Sequence, residues 1–133
     1  MLKEAMLALR VTDMEYAYEI SDLLEAAQTD LQMAGIVIDG EVNITITENE
    51  QTGEITATDN STITDKAVIT AMITYVRVHF GSPADFDRLA NSYDLQRRQL
   101  ANATGYTNFL DQEEAQETEP ETETDPEDGV EGI

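Results

Sequence analysis

The first third of the chain repeats its apolar residues at helical spacing. Leu2, Met6, Leu7 and Leu9 predict a short amphipathic helix ending near Arg10. Thr12 followed by Glu15 has the spacing of a capping box and predicts the start of a second helix. Along that helix Tyr16, Ile20, Leu23, Leu24, Ala27, Leu31 and Ala34 form one apolar stripe. Glu15, Glu19, Asp22, Glu25 and Gln28 fall opposite and read as a solvated face. Gly35 is placed to close the helix in the left-handed conformation.

The period changes from 36 to 62. Ile36, Val37 and Ile38 precede an Asp39-Gly40 turn. Val42, Ile44 and Ile46 then alternate with Asn43, Thr45 and Thr47, which is the β-branched, period-two pattern of a strand. The polar run 49–53 supplies a turn, and 54–59 alternates again. The segment reads as a β-hairpin over about 42–58, inserted between helices. A lone hairpin is marginal in water, so it must lean on the helices or pair with another chain.

Residues 65–80 are apolar on most sides. Their length, the cap candidate Thr64 and the stop at Gly81 predict a central buried helix rather than a strand. Ser82-Pro83 then reads as an N-cap and first-turn proline. The next helix runs to about Asn102 and is closed by Gly105. Phe86, Leu89, Tyr93, Gln96 and Leu100 lie along one face of it. The fold class is therefore mainly α: a small bundle of about four helices over 1–110, a hairpin insertion at 36–62, and an extended C-terminal tail over 111–133.

Charge changes this picture most in the tail. The 133 residues carry 28 acidic and 7 basic side chains, a formal charge of −21. Residues 111–133 hold 11 of the acids and no base. The tail has Pro120 and Pro126, no aromatic residue and little to bury, so by itself it is expected to stay disordered unless a partner binds it. A chain of this sign is not expected to hold DNA or an anionic membrane by general electrostatics. The absence of cysteine excludes disulfides, thiolate-bound zinc and thiol catalysis. No apolar run reaches a membrane span, and Met1-Leu2-Lys3-Glu4 lacks a signal-peptide pattern.

Catalytic chemistry has little support. His79 is the single histidine, and its place in the last turn of a helix suits a structural cation. No phosphate-binding glycine loop or calcium-loop spacing occurs. The sequons at Asn43, Asn60 and Asn102 read as incidental. No cofactor or metal is expected, and the chain reads as non-enzymatic.

Three stretches resemble the head–tail connector (adaptor, or head-completion) proteins of long-tailed double-stranded DNA bacteriophages. They are "ALRVTDMEYAYEISDLLEAAQTDLQMAGI" (8–36), "AVITAMITYVRVHFGSPADFDRL" (67–89) and "SYDLQRRQLANATGY" (92–106). Order and spacing carry the resemblance, over roughly half of the chain. It implies a helical core made in the host cytoplasm and built into the virion neck. It also implies a homo-oligomeric ring, usually of twelve subunits, docked beneath the portal protein with a stopper or tail-completion protein below. DNA would pass through without specific binding. The strand-like 36–62 segment and the long acidic tail depart from the family pattern.

The residues suggest how such a role would be divided. An acidic lumen would repel phosphate, although acidity also serves plain solubility. Arg88, Arg97 and Arg98 are candidates to face Glu19, Asp22 or Glu25 of a neighbouring subunit; the alternative is surface pairing within one chain. Tyr106, Phe109 and Leu110 are candidates for portal contact, or else they cap the core. Val42, Ile44, Ile46 and Ile55 of the hairpin are candidates for contact with a neighbour or the stopper. A different class of reading is a monomeric acidic module, such as a DNA mimic or small chaperone, that occupies a basic cleft of its partner.

Overall fold

A computed structural model describes residues 1–103. Four α-helices run in chain order with a two-stranded hairpin between the second and third: α1 Leu2–Leu9, α2 Ala17–Met33, β1 Ile44–Glu48, β2 Ile55–Asp59, α3 Lys66–His79 and α4 Phe86–Asn102. The mainly helical class and the hairpin insertion are as the periodicity predicts. Among the described residues no helix is long and apolar enough to cross a membrane.

Helix α1 ends in a left-handed corner. Arg10 takes φ 58° and ψ 42°, and the N–H groups of Arg10 and Val11 return to the carbonyls of Leu7 and Met6 at 3.1 and 3.0 Å. Glycine is the usual occupant of such a corner because it has no Cβ to clash. Entry to α2 differs from the capping box expected at Thr12. The carboxylate of Asp13 accepts the Glu15 N–H at 2.9 Å, and a 3₁₀ turn over Met14–Tyr16 precedes the helix. This later start rotates Tyr16 out of the stripe, where it stays half-exposed and meets the Phe80 ring edge-on at 5.5 Å.

The stripe that α2 buries is Ala17, Ile20, Leu24, Ala27 and Leu31, with Ser21 beside it. Leu23 is half-buried and Ala34 is exposed, because Ala34 already belongs to the helix cap. Gly35 sits at φ +90°. The Gly35 N–H bonds the Gln32 carbonyl and the Ile36 N–H bonds the Leu31 carbonyl, at 3.0 and 3.1 Å. This is the Schellman arrangement, and its apolar partners Leu31 and Ile36 are both buried.

Helix α3 is the central element. Val68, Ala71, Met72, Thr74, Val76 and Val78 are buried, and α3 packs against α1, α2 and α4. Its cap is Asp65 rather than Thr64: the carboxylate accepts the Ala67 and Val68 N–H groups at 2.9 and 3.2 Å. The turn into α4 also differs from the Ser82-Pro83 expectation. Both residues lie in the loop, and α4 begins at Phe86 after Asp85. On α4, Leu89, Tyr93 and Leu100 are buried; Phe86 sits at the start of the helix and remains half-exposed.

The hairpin is antiparallel, with Ile44 opposite Asp59, Ile46 opposite Ala57 and Glu48 opposite Ile55. Asn49 shapes its turn: its side-chain oxygen accepts the Gln51 and Thr52 N–H groups at 2.8 and 3.2 Å. Gly40, at the hairpin's entry, has no substitute. It holds φ +108°, and a Cβ there would lie 2.6 Å from the Thr62 carbonyl oxygen.

Candidate interaction surfaces

The densest polar cluster lies where α2 meets α3 and α4. Asp30 of α2 accepts the Tyr93 hydroxyl at 2.5 Å and the Arg97 guanidinium at 3.2 Å on one carboxylate oxygen. Arg97 also reaches Asp94 at 3.1 Å, and Arg98 approaches the other Asp94 oxygen at 3.4 Å. The Arg97 guanidinium lies 5.8 Å from the Tyr93 ring centroid. Tyr75 of α3 packs edge-on against Tyr93 at 5.3 Å and lies tilted over His79 at 4.2 Å.

Burial and the Asp30 carboxylate both push the Tyr93 phenol well above the usual tyrosine range. Burial and the charge of Asp30 raise Tyr75 as well. Burial alone would lower Arg97, but Asp94 and Asp30 outweigh it and the guanidinium is raised. These groups therefore hold fixed protonation states near neutral pH. Their geometry ties α2 to α4.

The three arginines expected at a subunit contact are each engaged inside the chain. Arg88 pairs with Asp85, Arg97 with Asp30 and Asp94, and Arg98 with Asp94. Glu19, Asp22 and Glu25 are exposed on α2, and among the described residues none pairs with those arginines. A neighbouring carboxylate would have to compete with the intrachain partners.

The hairpin leans on the bundle. Val42, Ile44, Ile46 and Ala57 are partly buried against the core cluster, whereas Ile55 lies toward the free tip, opposite Glu48. Gln28, expected on the solvated face of α2, instead clamps the hairpin's entry. Its side-chain oxygen accepts the Val42 N–H at 2.9 Å and its amide donates to the Gly40 carbonyl at 3.4 Å. At the exit, Asp59 accepts the Leu2 N–H at 2.8 Å and pairs with the Met1 α-ammonium at 2.9 Å. Glu4 takes the same ammonium at 2.7 Å. Burial opposes the charge on Asp59, but the ammonium and the Leu2 and Ser61 donors outweigh it and hold the carboxyl far below its usual range. Burial likewise opposes the ammonium, and Glu4 and Asp59 raise it above its ordinary 8.0.

Apolar side chains face outward on two different parts of the molecule. One is a groove of about 400 Å³ lined by Leu2, Met6, Leu7, Val11, Met14 and Ala57, with Lys3 and Asp59 at its margin; Leu7 is 68% exposed beside it. The other comprises Met33 at the C-terminal end of α2 and Val37 after the Gly35 cap, 82% and 51% exposed.

Tyr106, Phe109, Leu110 and the acidic tail lie outside the described residues. Sequence reasoning missed Asp30, Gln28 and Asp59 as ties between elements. Asp30 sits one helical turn before Ala34, and no local signal pairs it with Tyr93 or Arg97, more than sixty residues away. No family model, curated protein or solved structure matches the chain.

Proposed function

We propose that the chain is a structural, non-enzymatic head–tail connector: an adaptor that forms a ring, usually of twelve copies in the family it resembles, between a phage portal and a stopper or tail-completion protein. The observation that carries this reading is the pair of unlike apolar patches. A ring needs a head-to-tail contact in which one surface of a subunit meets a different surface of the next. The Leu7 groove, built on α1 and its neighbours, and the exposed Met33 and Val37, at and just beyond the C-terminal end of α2, are unlike surfaces. Exposed apolar surface of this kind is available to a neighbouring subunit. The resemblance over 8–36, 67–89 and 92–106 supplies the portal as the neighbouring protein and the virion neck as the location. The strong negative charge is in keeping with a channel wall that DNA passes without sticking. Portal contact falls to Tyr106, Phe109 and Leu110, and the hairpin is a second contact toward a neighbour or the stopper.

The test uses Leu7→Glu and Met33→Glu, both at exposed positions, in co-sedimentation with portal particles encoded by the same genome. The wild-type chain should sediment with the portal as a ring. Each variant alone should fail to close a ring, and an equal mixture of the two should yield dimers, because each supplies the patch the other has lost. Ring formation undiminished in both variants would contradict the head-to-tail assignment. A wild-type chain that stays monomeric with the portal and binds basic proteins instead would favour the acidic-module reading.

A further inference from the structure

Acids outnumber bases four to one in this chain, yet two arginines meet no carboxylate within ion-pair distance among the described residues. Arg10 at the end of α1 and Arg77 near the end of α3 line one cleft of about 440 Å³. Leu9, Phe80, Ser82 and Leu89 contribute to its walls, and Asp85 stands at its edge. Asp85 pairs with Arg88, one turn along α4, and also feels the charge of Arg77; one carboxylate among Arg10, Arg77 and Arg88 leaves the cleft with a surplus of positive charge. The helical ion pairs collect around Asp30 and Asp94, away from it. Arg10 is also the one described non-glycine residue with positive φ. A left-handed corner is strained for a residue with a Cβ, and here that corner sets a guanidinium beside the cleft.

We infer that this cleft is the docking site of the chain's own acidic segment, residues 111–133, held by carboxylates against Arg10 and Arg77. Charge complementarity points to that occupant, since the segment carries 11 acids and no base. Reach allows it. The cleft lies at the start of α4 and residue 103 at its end, about 25 Å apart for 17 residues. The eight residues from Ala103 to Asp111 span at most about 26–29 Å when extended. Asp111 thus just arrives at the cleft, and Glu113, Glu114 and Glu117 have chain to spare. A tethered segment presents itself at an effective concentration on the order of millimolar. Exposed guanidinium–carboxylate contacts are individually weak, so the latch rests on several of them and is released by salt. A basic partner surface would compete for the same carboxylates. The inference stands whether or not the chain is a connector.

The experiment uses the full chain. It has no cysteine, so Glu121→Cys takes a single spin label, and amide line broadening is read in the ¹⁵N spectrum. At low salt the labelled chain should broaden the amides of Ala8–Arg10 and Phe80–Asp85. The broadening should vanish in about 0.5 M salt, where the Debye length falls to a few Å. It should also vanish in the Arg10→Gly/Arg77→Gln variant. Should that variant not fold, neutralising Glu113, Glu114, Glu117 and Glu119 to Gln leaves the body untouched and should abolish the broadening equally. No broadening in the wild type, or broadening that survives either set of changes, would overturn the latch. Broadening seen only on unlabelled ¹⁵N chains mixed with labelled ¹⁴N chains would overturn the same-chain occupant in favour of a second copy's tail.

Discussion

Helices α2 and α3 bury Ile20, Leu24, Leu31, Val68, Met72 and Val76 almost completely, while no residue of β1 or β2 is fully buried. The two regions are stabilised by different physics. The bundle rests on apolar area removed from water, and removing a side chain there leaves a cavity that its neighbours cannot fill. The hairpin rests on polar tethers at its ends: Gln28 at the entry, and Asp59 with Met1 and Leu2 at the exit. Partly buried Val42, Ile44, Ile46 and Ala57 add a thin apolar contact. Damage to the first region should therefore unfold the molecule, and damage to the second should detach one element.

The largest effect should come from Leu24→Ala. Leu24 is fully buried in the α2 stripe, so the substitution should cost about 2–5 kcal/mol in urea unfolding. A loss below about 1 kcal/mol would mean that α2 is not seated as described. Next is Asp30→Ala, which removes the acceptor shared by Tyr93 and Arg97. It should cost about 1–3 kcal/mol, and Tyr93→Phe should cost less because Arg97 keeps its contact with Asp30. Equal losses would show that the hydroxyl carries the whole tie.

The hairpin should respond locally. In Gln28→Ala the amides of 42–48 and 55–60 should lose hydrogen-exchange protection while those of α3 keep theirs. Its protection should also follow pH with a definite sign. Asp59 is lowered from 3.8, so its contribution is present above that value and fades as pH falls through the folded pKa. The Met1 ammonium is raised from 8.0, so its contribution is present below that value and fades as pH rises through the folded pKa. Hairpin protection should be greatest between these limits, and a flat profile across them would remove the ion pair from the account. The smallest effect is a gain: Arg10→Gly relieves the left-handed corner and should stabilise the fold by up to about 1 kcal/mol.

The same contrast explains what the sequence revealed. Apolar periodicity is local, so the stripe of α2, the buried run of α3 and the alternation of Val42, Ile44 and Ile46 could all be read directly. Cap identity was less legible, because Thr12 competes with Asp13, and Thr64 with Asp65, within one residue. The polar ties could not be read at all. Gln28, Asp30 and Asp59 look like solvated polar residues until the fold brings Val42, Tyr93 and the N-terminus to them. The intrachain partners of Arg97 and Arg98 were half legible: Asp94 stands three and four residues away on the same helix, whereas Asp30 comes from another.

The connector reading is tested most directly by electron microscopy of the purified protein mixed with portal particles from the same genome. The account predicts a symmetric ring of added density beneath each portal, with the hairpin visible at a subunit or stopper-facing surface. Bare portals at micromolar protein and low salt would contradict it.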